Sequence, residues 1–193
     1  MDYMFFFRGI KNIILNPVKV WETIDSKNIP VKLLRGSFLF PLIIIVSVSA
    51  FFGSLIFTNP ELSIAYSIFT GIKCFVVLLI TAYTTTYILG EITYPLDLGK
   101  HFSVSFILVV YSISPFILCQ FLSRLLESLL FFNILGLYGL YIFWIGAEKL
   151  LAPPQHKKRP LLIATAITMI GIYVGTNLVL SMFIDRVYFS YFA

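Results

Sequence analysis

The sequence predicts an all-α polytopic membrane protein, a five-transmembrane-helix bundle with an N-terminal amphipathic interfacial helical segment. Three observations predict it. Of the 193 residues, 59% are hydrophobic and 12% charged, whereas a soluble domain carries roughly a quarter charged residues. Apolar runs long enough to cross hydrocarbon, which takes about 20 residues of helix, recur along the chain. The basic residues gather at the ends of those runs, as expected at a phospholipid surface.

The chain divides into residues 1–35, a cytoplasmic or interfacial amphipathic segment, and residues 36–193, the five-span part. In the first, Phe6, Ile10, Ile13 and Ile14 recur at helical spacing opposite Arg8, Lys11 and Asn12, the pattern of a helix lying on a membrane surface. Asn16-Pro17 starts a second short helix, since asparagine caps and proline suits the first helical position. Its face of Val18, Trp21 and Ile24 is expected to pack on the bundle.

The first span is read from Gly36 to Thr58, with Pro41 in its early turns and Ser49 and Gly53 forming a small-residue edge. The second lies within Ile64 to Gly90, where Thr81, Thr84 and Thr85 share a face suited to packing. The third runs from His101 to Arg124 and organises the rest. Pro115 has no N–H for the Tyr111 carbonyl and its ring crowds that oxygen, so a kink is expected. In a bilayer the orphaned carbonyl must find a hydroxyl, another helix or internal water, which turns Tyr111, Ser112, Ser114 and Pro115 inward. The fourth span runs from Ser128 to Leu151, with a groove at Gly136, Gly139 and Gly146. A loop from Ala152 to Pro160 leads to the fifth, Leu161 to Ile184, whose stripe of Ala164, Thr168, Gly171 and Gly175 reads first as an internal packing face and second as a dimer seam.

Positive charge sets the expected orientation. Eleven Lys and Arg fall on the side of the N-terminus and two, Arg124 and Arg186, on the other; with Lys73 inside a span these make up the 14. The positive-inside rule then places the N-terminus in the cytoplasm and the C-terminus outside. Met1-Asp2-Tyr3 and the short run to Phe7 do not read as a cleaved signal peptide. Lys73 is expected either to snorkel outward toward Glu61, Glu127 or Asp185, or, if more deeply embedded, to need an acidic or carbonyl partner.

No catalytic or nucleotide-binding motif occurs. Glu91, Asp97, His101 and Glu148 could gather on one side, but their spacing carries no metal motif, and solvated loop charges explain them. Cys74 and Cys119 sit in apolar runs as small buried hydrophobes. Neither an enzyme nor a cofactor is expected, and the absence of a basic stripe or stacking platform argues against nucleic acid.

Asn16-Pro17-Val18-Lys19-Val20-Trp21, Tyr111-Ser112-Ile113-Ser114-Pro115, and Leu137-Tyr138-Gly139-Leu140-Tyr141 with Trp144-Ile145-Gly146 together resemble the Yip family of five-span membrane proteins, in a bacterial-type form. The resemblance implies the fold, a cytoplasmic N-terminus and a role in organising membranes or membrane proteins. The Asp-Leu-Tyr-Gly-Pro signature of eukaryotic members does not occur in these residues, so a GTPase partner is not carried over. The expected function is therefore non-enzymatic binding of lipid or another membrane protein, or a homo-oligomer, in a bacterial cytoplasmic membrane. The alternative is a small transporter or channel using the third span; a continuous polar path would favour it and a dry aromatic core would disfavour it. The candidate positions are Tyr111, Ser112, Ser114, Pro115, Lys73, Gly171 and Gly175.

Overall fold

Backbone N–H and C=O groups cannot be left bare in hydrocarbon, so each apolar run closes its hydrogen bonds internally as helix. The computed structural model describes residues 3–27, 30–57, 64–94, 98 and 102–191. The elements are α1 (Tyr3–Leu15), α2 (Pro17–Lys27), α3 (Val31–Leu34), α4 (Phe40–Phe57), α5 (Ile64–Thr93), α6 (Phe102–Leu125), α7 (Tyr138–Leu150) and α8 (Gln155–Tyr191). A π-helical turn, Arg35–Leu39, joins α3 to α4, and a 3₁₀ stretch, Glu127–Leu137, leads into α7. Five helices are long and apolar enough to cross a membrane: Val31–Phe57, Ile64–Thr93, Phe102–Leu125, Leu129–Leu150 and Gln155–Tyr188. The protein is an all-α, multi-pass membrane bundle.

The third span is its axis. In its most apolar stretch 72% of residues are buried, against none in that of the fifth span. Helix α6 packs on α4, α5, α7 and the 3₁₀ stretch, while α8 rests mainly along α5 and more lightly on α7. Glycines fix two of these crossings. A Cβ on Gly53 would run into the Arg124 carbonyl, and one on Gly139 into the Ser112 carbonyl, so α4 and α7 meet α6 backbone to backbone.

Several sequence expectations are corrected. The first spanning helix starts at Val31, ahead of the expected Gly36, and Pro41 lies well inside it instead of in its first turns. The π turn accommodates it: the Phe40 N–H donates to the Arg35 carbonyl, slipping the ladder by one residue just before the proline that cannot donate. The fifth helix begins at Gln155, so Pro160 lies within it and the preceding loop is shorter than expected; the Lys157 and Lys158 amides both donate to the Pro154 carbonyl. Thr58, Glu61, Asp97, Lys100 and His101 lie outside the described residues.

The amphipathic pair packs its apolar faces into the bundle. Trp21 and Ile13 are fully buried, and Phe6 and Ile24 nearly so, in the same cluster as the cores of α4 and α6. The Trp21 indole N–H donates to the Ile142 carbonyl at 3.1 Å, and its ring meets Tyr111 edge-on at 5.6 Å. Tyr111 stands nine residues, about 14 Å, into α6, so α2 reaches well down the flank of α7. Trp21 and Ile24 meet the expectation of packing on the bundle, whereas Val18, expected on the same face, is 45% exposed. An apolar face is best satisfied where other helices can close around it.

Candidate functional site

Around Pro115 the core is sealed. Helix α6 runs through the proline without a break, and every residue from Ser105 to Pro115 is buried. The carbonyl that Pro115 cannot serve is taken locally: the Ser114 hydroxyl donates to the Tyr111 oxygen at 2.7 Å. Tyr111 packs between Trp21 and Phe38, 5.1 Å from the latter. A pinhole of about 10 Å³ lies beside Ser112, Thr85 and Thr165. The Ser112 and Thr85 hydroxyls are buried there with no hydrogen-bond partner. This is packing and not a passage.

The polar chemistry gathers instead toward the end of the bundle where α4 and α6 finish and α5 begins. A cavity of about 540 Å³ opens there, lined by Gly53 and Ser54 of α4, Tyr66, Thr70 and Lys73 of α5, Gln120, Ser123 and Arg124 of α6, Asn133 of the 3₁₀ stretch, and Tyr173 of α8, among others. Lys73 donates to the Ser181 hydroxyl at 3.1 Å. It lies within electrostatic reach of both Arg124 and Asp185, and the Tyr66 hydroxyl donates to Asp185 at 3.4 Å. Of the three acids expected near Lys73, Asp185 is the one in reach among the described residues. The side chains of Glu61 and Glu127 lie outside what is described.

On the facing wall, Asn133 Oδ1 accepts from Gln120 Nε2 at 3.3 Å and from Ser123 Oγ at 3.1 Å. Gln120 Oε1 in turn accepts from Arg124 Nε at 3.2 Å, and Arg124 Nη2 points at the Tyr173 hydroxyl at 3.5 Å. The carbonyl oxygens of both amides are thus used within the wall. Among the described residues the wall brings amide N–H groups and the Arg124 guanidinium to the cavity lining, beside the Ser123 hydroxyl.

Of the candidate positions, Lys73 alone lines this cavity; Tyr111, Ser114 and Pro115 build the sealed core, and Ser112 faces the pinhole. At Gly171 and Gly175 a Cβ would meet nothing within 4 Å, so among the described residues no other helix packs on either glycine, against the expectation of an internal packing face. Gln120, Arg124, Asn133 and Tyr173 were not singled out from sequence. Only Gln120 and Arg124, one helical turn apart, carried a local signal.

Further hollows at the described residues include two more. One of about 350 Å³ lies at the opposite end among Asp25, Val31, Ser103 and Leu150. The other, of about 280 Å³, is an apolar groove along α4 and α5 at Ile44, Phe51, Ile72 and Phe75. The two end cavities and the pinhole share no lining residue. Among the described residues no group of three His, Cys, Asp or Glu could hold a metal. Glu148 is engaged by Lys158, and both cysteines are buried free thiols. No protein-family model, curated protein or solved structure matches the chain.

Proposed function

We propose that this chain is a non-enzymatic, Yip-type membrane protein that binds lipid at its helical surfaces and in the cavity beside Lys73. Its setting is a bacterial cytoplasmic membrane, with the N-terminus in the cytoplasm and the C-terminus outside, as the charge asymmetry supports. The observation that carries the reading is the cavity of about 540 Å³, a size that suits a small ligand or headgroup. Its polar lining sits in a bundle whose outer surface is apolar. The groove on α4 and α5 supports the same reading, since its lining suits an acyl chain. A role in organising membranes follows from holding lipid, or another membrane protein, against a fixed helical scaffold.

The transporter reading has one observation in its favour, two cations facing a cavity. Against it stands the buried stretch of α6 from Ser105 to Pro115, with Trp21 and Phe38 packed around it and no shared lining between the two ends. The test is extraction into polymer-bounded native bilayer discs, exchange into detergent, and mass spectrometry of retained lipid. Lipid surviving exchange in a fixed ratio to protein is expected. Complete loss of lipid, together with solute flux in reconstituted vesicles, would replace this reading with the transporter.

A further inference from the structure

We infer that the cavity between Lys73 and Arg124 is a binding site for a phosphate-class oxyanion, either the phosphodiester of a lipid headgroup or the free anion. This deepens the lipid-binding reading and rests on it for the lipid source. Three features of the site lead to it. The first is charge: two cations line one cavity inside an apolar bundle. Among the described residues the one carboxylate in reach of Lys73 is Asp185, which also accepts from Tyr66. In a medium of low dielectric, like charges facing a common space call for a counter-charge between them.

The second is hydrogen-bonding capacity. On the α6 wall Gln120 Oε1 accepts from Arg124, and Asn133 Oδ1 accepts from both Gln120 and Ser123. Arg124 commits Nε to Gln120 and only a long 3.5 Å contact from Nη2 to Tyr173. Among the described residues the remaining guanidinium and amide N–H groups outnumber the acceptor capacity left on Gln120 Oε1 and the Ser123 hydroxyl, so the wall is donor-rich. A ligand that matches must therefore be rich in acceptors, and a phosphate offers oxygens that a guanidinium binds in pairs while a lysine supplies a point charge.

The third is pre-organisation. Gly53 brings the α4 backbone against the Arg124 carbonyl, fixing where that side chain starts, and Gln120 holds its Nε from one turn back. Lys73 is anchored from the other side by Ser181 of α8. The cations are held on opposite walls, on α6 and α5, instead of being free to turn outward to water.

The test uses the full chain in a neutral detergent, with native mass spectrometry of added phosphatidylglycerol against diacylglycerol, which has the same acyl chains and no phosphate, and inorganic phosphate as competitor. Wild type is expected to retain phosphatidylglycerol at least about tenfold over diacylglycerol. Lys73→Met with Arg124→Gln should abolish that preference while leaving diacylglycerol binding unchanged. Arg124→Lys, which keeps the charge and loses the paired geometry, should fall between them and serves where the double variant does not fold. Displacement of the lipid by millimolar phosphate identifies the anion itself as the ligand, and resistance to it identifies the lipid-borne phosphodiester; both uphold the site. Equal retention of the two lipids by wild type overturns the site but leaves lipid binding standing. Retention of neither, with no phosphate binding, overturns both.

Discussion

Gly146→Ala is the sharpest probe of how the N-terminal helices are seated. A methyl there would stand 2.5 Å from Cε2 and Cζ2 of Trp21 and 2.8 Å from a Leu108 methyl. Ordinary contact begins near 3.4 Å, so the indole must retreat by about 0.9 Å. That stretches its 3.1 Å bond to the Ile142 carbonyl to about 4 Å, beyond hydrogen-bond range. A buried donor and acceptor lose each other at about 1 to 3 kcal/mol, and overpacking adds about 1 to 3 kcal/mol. A total of about 2 to 6 kcal/mol should lower the melting temperature by about 4 to 24 °C, scaled as for a soluble domain of this length. The assay is thermal unfolding in detergent, with emission from Trp21 read in a Trp144→Phe background. The emission should shift to the red. Trp21→Phe alone should also destabilise, yet Trp21→Phe and Gly146→Ala together should cost less than their sum, because the smaller ring makes room for the methyl. Strict additivity, or a Gly146→Ala protein as stable as wild type, would refute the seating of α2 on α7.

Ser114→Ala should cost about 1 to 3 kcal/mol by stripping the Tyr111 carbonyl of its remaining donor, and adding Pro115→Ala, which restores an amide N–H at that position, should recover most of it in the same unfolding assay. Ser112→Ala should raise the melting temperature by about 1 to 3 °C, because it deletes a buried hydroxyl without a partner beside a void at the lower limit for holding a water. Gly171→Ala meets open space and should be neutral or stabilising by up to about 1 kcal/mol through helix propensity. A single cysteine within residues 152–154, in a protein lacking Cys74 and Cys119, should react with impermeant maleimide from the cytoplasmic side alone; labelling from outside would invert the proposed orientation.

The number and rough limits of the spans were legible because length and apolarity suffice to define a crossing helix. That the Tyr111 carbonyl needs a substitute donor was legible for the same kind of reason, since proline removes a donor and hydrocarbon forbids water. A hydroxyl, another helix and internal water all fitted, however, and the structure assigns it to Ser114. What sequence could not show is which neighbour a face meets. The amphipathic period of α2 marks Trp21 as buried, but the same period serves a lipid surface or the flank of α7, and Gly146 decides it. The Gly171 and Gly175 stripe has the composition of a packing seam, yet among the described residues no other helix packs on either glycine. The cavity was hidden most thoroughly. Lys73, Arg124, Asn133 and Tyr173 come from four elements, and no spacing along the chain foretells that they share a space.

The peripheral position of α8 has a consequence for how the protein is made. Ribosomes deliver the chain in order, so α4 to α7 can settle around α6 while the last 37-residue helix is still emerging. Until it docks, Lys73 lacks Ser181 and the cavity lacks Tyr173, the wall that α8 contributes. Arrival of the final helix is therefore the step that completes the cavity, and a nascent protein stalled before it would carry the lysine open to the bilayer, a state that membrane quality control can distinguish from the finished one.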